Sequence, residues 1–174
     1  MSKLDKYGHL DLVALSKQFA AFLHVLSCGP SVSLQQTAFM ETTTIKEDIK
    51  IGMVRATSFP AGVMEAHQKL HSIVPFNRER GYYGISYPDR NGTIMYWAGA
   101  GELQPGDLEG TGLEPFTIRK GDYLYIDVAN YMEDTAAIGN AFQTILKDER
   151  IAHDGYCVER YYSEKECRCM VPMK

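Results

Sequence analysis

What the chain lacks narrows its function first. It has no basic excess: 18 lysines and arginines face 22 aspartates and glutamates, for a formal net charge of −4. Sequence-independent nucleic-acid binding needs a cationic stripe that displaces counterions, so direct nucleic-acid binding is not expected. There is no run of 18 apolar residues, so no membrane-spanning helix and no membrane partner are expected. Long runs of like charge, which would mark a tail, are also missing. Cysteine is sparse, with Cys28, Cys157, Cys167 and Cys169. On one strand Cys167 and Cys169 hold their Cα atoms about 7 Å apart, too far for an ordinary disulfide. No paired CxxC or mixed Cys/His set prefigures zinc. Buried free thiols in a reducing compartment are the expectation. Neither a Ser/His/Asp triad nor a phosphate-binding glycine loop is visible. His67 and His71 have metal-compatible helical spacing, but nothing completes a ligand set and no histidine is placed as a haem ligand. No metal and no cofactor are therefore expected.

Residues 1–35 read as a separate N-terminal extension. Leu12, Leu15, Phe19, Phe22 and Leu26 recur at helical spacing over 9–27, and Gly29-Pro30 ends the pattern. That stripe suits a homodimer contact or docking on the rest of the chain. Val25-Leu26-Ser27-Cys28 has the outline of a lipoprotein cleavage site. Leu26 fits its middle position poorly, and Asp5, Asp11 and Lys17 interrupt the leader that should precede it. A cytoplasmic location is expected.

Residues 36–174 read as a second domain with a repeated strand–helix–strand–strand order. In the first unit, 49–59 is a strand and Pro60 opens a helix over 61–74. Strands over 80–87 and 93–102 follow, around the Asn91-Gly92 turn. The second unit has a strand over 121–128, a helix over 133–151, and strands over 156–162 and 166–173. A further strand, 113–119, lies between the units. The fold class is α+β. Two β-α-β-β units about a pseudo-twofold axis form one antiparallel sheet with two main helices, and the saddle between the halves is the natural ligand site.

The last strand pair carries the chemistry. Alternation puts Cys157, Glu159 and Tyr161 on one face of their strand. A carboxylate among phenols supplies charge attraction and stacking for flat or cationic organic molecules. Tyr123 and Tyr125 share a face opposite Leu124, Ile126 and Val128, which read as core beneath the helices. Trp97, beside Gly99 and Gly101, has room for a flat guest. Glu102, at the end of that strand, is the candidate second carboxylate. The ligand set is Glu159, Tyr161, Trp97, Tyr123, Tyr125 and Glu102. For hydrolysis, Glu159 and Tyr125 form the acid–base pair.

Gly81-Tyr82-Tyr83-Gly84-Ile85-Ser86-Tyr87 with Met95-Tyr96-Trp97-Ala98-Gly99-Ala100-Gly101-Glu102 resembles the central hairpin of gyrase-inhibitor-like (GyrI-like) effector-binding domains. The segment Glu114 to Tyr123 is similar to that family's approach to its second repeat. Val158-Glu159-Arg160-Tyr161 resembles its Phe-Glu-x-Tyr signature, with Val158 in place of the aromatic residue. The resemblance covers about residues 36–174. It implies the duplicated fold and a stand-alone protein that binds small organic molecules, with Glu159 as the acid facing a cationic ligand. It also implies two alternatives. One is a hydrolase of cyclopropane-bearing toxins. The other is a gyrase-inhibitor-type protein or the partner of a separate DNA-binding chain, since no helix-turn-helix with a basic face precedes the domain.

Overall fold

Two periodicities, alternation along strands and three- to four-residue spacing along helices, build the region over 39–134, 136–152 and 155–174 described by the computed structural model. In chain order the elements are β1 (Glu41–Ile45), β2 (Ile49–Arg55), α1 (Val63–Ile73), β3 (Tyr82–Pro88) and β4 (Ile94–Gly101). They continue with β5 (Glu114–Ile118), β6 (Gly121–Ala129), α2 (Ala136–Ile145), β7 (Cys157–Tyr161) and β8 (Glu166–Pro172). The helix read over 9–27, its dimer contact and Cys28 lie outside the described residues. Among the described residues no helix is long and apolar enough to cross a membrane.

The fold is α+β. The eight strands of the described residues form one antiparallel sheet in the order β1-β6-β8-β7-β3-β4-β2-β5. Superimposing the series β1–β4 with α1 on β5–β8 with α2 reverses that order onto itself, which is the pseudo-twofold symmetry of a duplicated unit. The axis passes between β3 and β7, where Tyr82 pairs with Tyr161, Gly84 with Glu159, and Ser86 with Cys157. The edge strands are exchanged. β1 belongs to the first half by sequence but pairs with β6, and β5 pairs with β2.

The connections force the sheet to curl. Only Arg119 and Lys120 join β5 to β6, and only Lys46–Asp48 join β1 to β2, although each pair lies near opposite ends of the strand order. Links this short span about 10–14 Å at most, so the two ends must approach each other. Side-chain and backbone contacts pin the closure. The Lys120 amide donates to Asp48 Oδ1 at 2.8 Å and the Arg119 amide to Tyr156 Oη at 2.9 Å.

Curling gives two buried faces. The concave face is filled by Ile51, Ile85, Trp97, Ile118, Tyr123, Val158 and Met170, and among the described residues no helix packs on it. The convex face carries the helices. α1 lays Ala66 and Leu70 over Val54, Ala98 and Ala100. α2 lays Ala141, Phe142 and Ile145 over Leu124, Ile126, Val128, Cys169 and Val171. Leu124, Ile126 and Val128 thus lie beneath a helix, as their alternation indicates.

Several boundaries differ from the sequence reading. α2 is shorter than 133–151. Asn130 takes a left-handed φ of 53° ahead of it, and the Ala136 amide is capped by Asp134 Oδ1. At its far end Asp148 turns to hold Arg150 through two side-chain hydrogen bonds. β1 was not singled out by the sequence, because Glu41-Thr42-Thr43-Thr44 has no apolar alternation and lies at a mostly exposed edge.

Exchanged edges leave neither half with a complete sheet, so the halves unfold together. Leu70→Ala under α1 should destabilise by about 2–5 kcal/mol and Phe142→Ala under α2 by about 3–5 kcal/mol. Urea unfolding should show one shifted transition for each variant. Two separate transitions in either variant would contradict the interlock.

Candidate functional site

The pairing register builds the site around Glu159. This residue occupies the pseudo-twofold axis on β7, opposite Gly84 on one side and Cys169 of β8 on the other. Cys169 pairs in turn with Ile126, which lies beneath α2. Glu159 therefore points to the helix-bearing face, in the seam between the two halves. Its exposure is 5%. Gly84 is required there, because a Cβ would meet Glu159 Oε2 at 2.8 Å and collide with the Tyr96 hydroxyl.

Two phenols address one carboxylate oxygen. Tyr96 of β4 donates to Glu159 Oε2 at 3.2 Å, and Tyr161 donates to the same atom. The two hydroxyls are 3.2 Å apart, and His67 Nε2 of α1 lies 3.0 Å from Tyr96 Oη. The edge of one ring meets the face of the other where His67 contacts Tyr161, with centroids 5.4 Å apart. Phe59, ahead of α1, stacks on Tyr96, and Tyr131, ahead of α2, leans on Tyr161. The space above the carboxylate is thus occupied by the protein's own rings.

Electrostatically the seam is a low-dielectric site holding a carboxyl group, two phenols and an imidazole. Burial raises the Glu159 carboxyl above its usual range, against the opposing pull of the Tyr161 and Tyr96 hydrogen bonds. Burial, reinforced by the charge of Glu159, pushes both phenols well up, so both remain donors. His67 is held down to about 4 by burial and then by His71, so its ring is neutral at neutral pH. The thiols of Cys157 and Cys169 are pushed well up by burial and stay protonated. Among the described residues Glu159 has no salt bridge, and no donor addresses its Oε1.

Of the residues singled out from sequence, only Glu159 and Tyr161 come together. Trp97, Tyr123 and Tyr125 stand on the opposite, concave face. Trp97 stacks on Tyr87 at 4.7 Å and donates from Nε1 to Glu114 Oε2 at 2.6 Å. Tyr123 is 1% exposed, and its hydroxyl donates to the Arg119 carbonyl at 2.7 Å. Tyr125 donates to Glu41 at 3.0 Å, so it forms no acid–base pair with Glu159. Glu102 lies just beyond β4 and lines a separate hollow with Leu108, Leu113 and Phe116. Tyr96, His67 and Gly84 are the partners that sequence reasoning missed. His67 turns its Nε2 to Tyr96, and among the described residues no group of three His, Cys, Asp or Glu side chains is placed to hold a metal ion. Cys157, Cys167 and Cys169 are buried free thiols.

No protein-family model and no curated protein matches the chain by sequence. Solved structures do match in fold. An integron cassette protein from the mobile metagenome of Vibrio cholerae superposes with a TM-score of 0.60 at 12% identity, over 79% of this chain and 97% of that one. SAV2435 bound to tetraphenylphosphonium gives 0.59 at 12% identity, over 78% and 94%. The C-terminal domain of EcmrR gives 0.54 at 12% identity, over 80% and 99%. The chain shares the fold of these structures.

Proposed function

We propose that this protein binds lipophilic organic cations, with Glu159 as their counter-charge. The observation that carries this reading is a buried carboxylate with no cationic partner among the described residues. Burying a carboxylate is costly unless it is paired or protonated. A delocalised cation with apolar substituents supplies the missing charge and stacks on the surrounding rings. The likeness to SAV2435 bound to tetraphenylphosphonium supports the same chemical class. The rings above Glu159 must turn aside for a ligand to reach Oε1, and Tyr161 and His67, which are not fully buried, are the movable members. Buried thiols support a cytoplasmic setting for this role.

A second reading uses the same groups as an acid–base set. A raised carboxyl beside the phenols of Tyr96 and Tyr161 suits hydrolysis of a strained electrophile such as a cyclopropane toxin. The acid–base pair is then Glu159 with Tyr96 or Tyr161 in place of Tyr125. Product formation that is lost in Glu159→Gln would favour this reading over binding alone.

Titration calorimetry should find that tetraphenylphosphonium binds at least about tenfold more tightly than neutral triphenylphosphine oxide, and that Glu159→Gln weakens the cation by about 10–100-fold. Equal affinity for cation and neutral compound, or an unchanged Glu159→Gln, would sink the proposal.

The pH dependence has a definite sign. A carboxyl raised on folding contributes stability below its unfolded pKa and loses that stability as pH rises through the folded value. Glu159→Gln should therefore melt at a higher temperature than the parent at pH 8, and the gain should vanish in acid. His67 acts in the opposite sense. Its stability is full above about 6.5 and is lost as pH falls toward about 4. Because both proteins retain His67, the difference between them isolates Glu159.

A further inference from the structure

A second cluster of charge occupies the opposite face of the same strands. Alternation sends Arg160 and Arg168 to the concave side, where they sit directly across from one another on β7 and β8. Like charges in directly opposed positions repel, and a sheet gains nothing from the pairing unless something neutralises it. Arg168 is only partly satisfied. Its Nε and Nη2 donate to Asp127 at 2.7 and 2.8 Å, and its Nη1 has no hydrogen-bond partner among the described residues. Arg160 has no ion pair and no side-chain hydrogen bond among the described residues. Its guanidinium lies over the Tyr162 ring at 4.9 Å, and Arg168 reaches the same ring at 5.6 Å.

These two arginines border a cavity of about 400 Å³ at one end of the curled sheet. The β1–β2 connection contributes Lys46 and Glu47 to its lining, while Ile45, Ile49 and Met170 form an apolar part. The volume is that of a small-molecule site. Its charge is opposite to that of the whole chain: three cations and one acid, Glu47, line a cavity in a protein of net charge −4. A guanidinium with free N–H groups binds a carboxylate through paired hydrogen bonds, and a flat body can rest on Tyr162 and the apolar lining.

We propose that this cavity is a binding site for organic anions with a planar or aliphatic body, carboxylates above all, held by Arg160 with help from Arg168 and Lys46. It is separate from the Glu159 seam, because the sheet lies between them. A test with 1-naphthoate and its neutral isostere 1-naphthamide needs no variant. Naphthoate should bind to the full chain, lose affinity as ionic strength rises, and exceed naphthamide by about tenfold. Arg160→Gln, checked for an intact melting transition, should bring naphthoate down to the level of naphthamide. Saturating tetraphenylphosphonium should not displace it. No binding of naphthoate, equal binding of the two compounds, an unchanged Arg160→Gln, or displacement by tetraphenylphosphonium would each overturn the proposal. The comparison of anion with neutral isostere does not involve Glu159, so failure here is distinguishable from failure of the cation reading.

Discussion

A carboxylate is held against the bare backbone of a glycine, at the point where two halves of one sheet meet. Gly84 supplies the space and Glu159 occupies it, and the phenols of Tyr96 and Tyr161 fix one of its oxygens. Much of the surrounding sequence serves that arrangement. Tyr96 comes from the first half, Tyr161 from the second, and His67 from the helix that covers the first half. Loss of register between β3 and β7 would move Glu159 to the other face and dissolve the site.

Exchange of the edge strands makes that register secure. β1 and β5 each complete the sheet of the opposite half, and short links leave the sheet no choice but to curl. The curl buries the concave face against its own side chains. A carboxylate at the axis is thus supported on both sides, by packed concave side chains below and by rings between two helices above. Such enclosure penalises the charged form of Glu159, and the raised carboxyl is its expression.

Much of this was legible in the sequence. The alternation of Cys157, Glu159 and Tyr161, the core stripe Leu124, Ile126 and Val128, the tandem units and the Asn91-Gly92 hairpin are local patterns, and each survives in the fold. Which strand faces which was not legible. Trp97, Tyr123 and Tyr125 were grouped with Glu159 because a large ring and exposed-looking phenols suit a cleft. In the sheet they face the other way, and the neighbour of Trp97, Tyr96, reaches the carboxylate. Two-sided burial is the reason. When both faces are apolar, the alternation pattern no longer marks which one carries the helices, and only cross-strand register assigns them. The mostly exposed strand Glu41–Ile45 was missed for a related reason, since three threonines carry no inward–outward contrast.

Titration of the Glu159 side-chain carboxyl carbon by NMR, with and without tetraphenylphosphonium, tests the central claim most directly. If Glu159 is the counter-charge of the cation, the midpoint lies above the ordinary 4.5 in the free protein and falls once the cation is bound. A midpoint at or below 4.5 in the free protein, or one that the cation leaves unmoved, would contradict it.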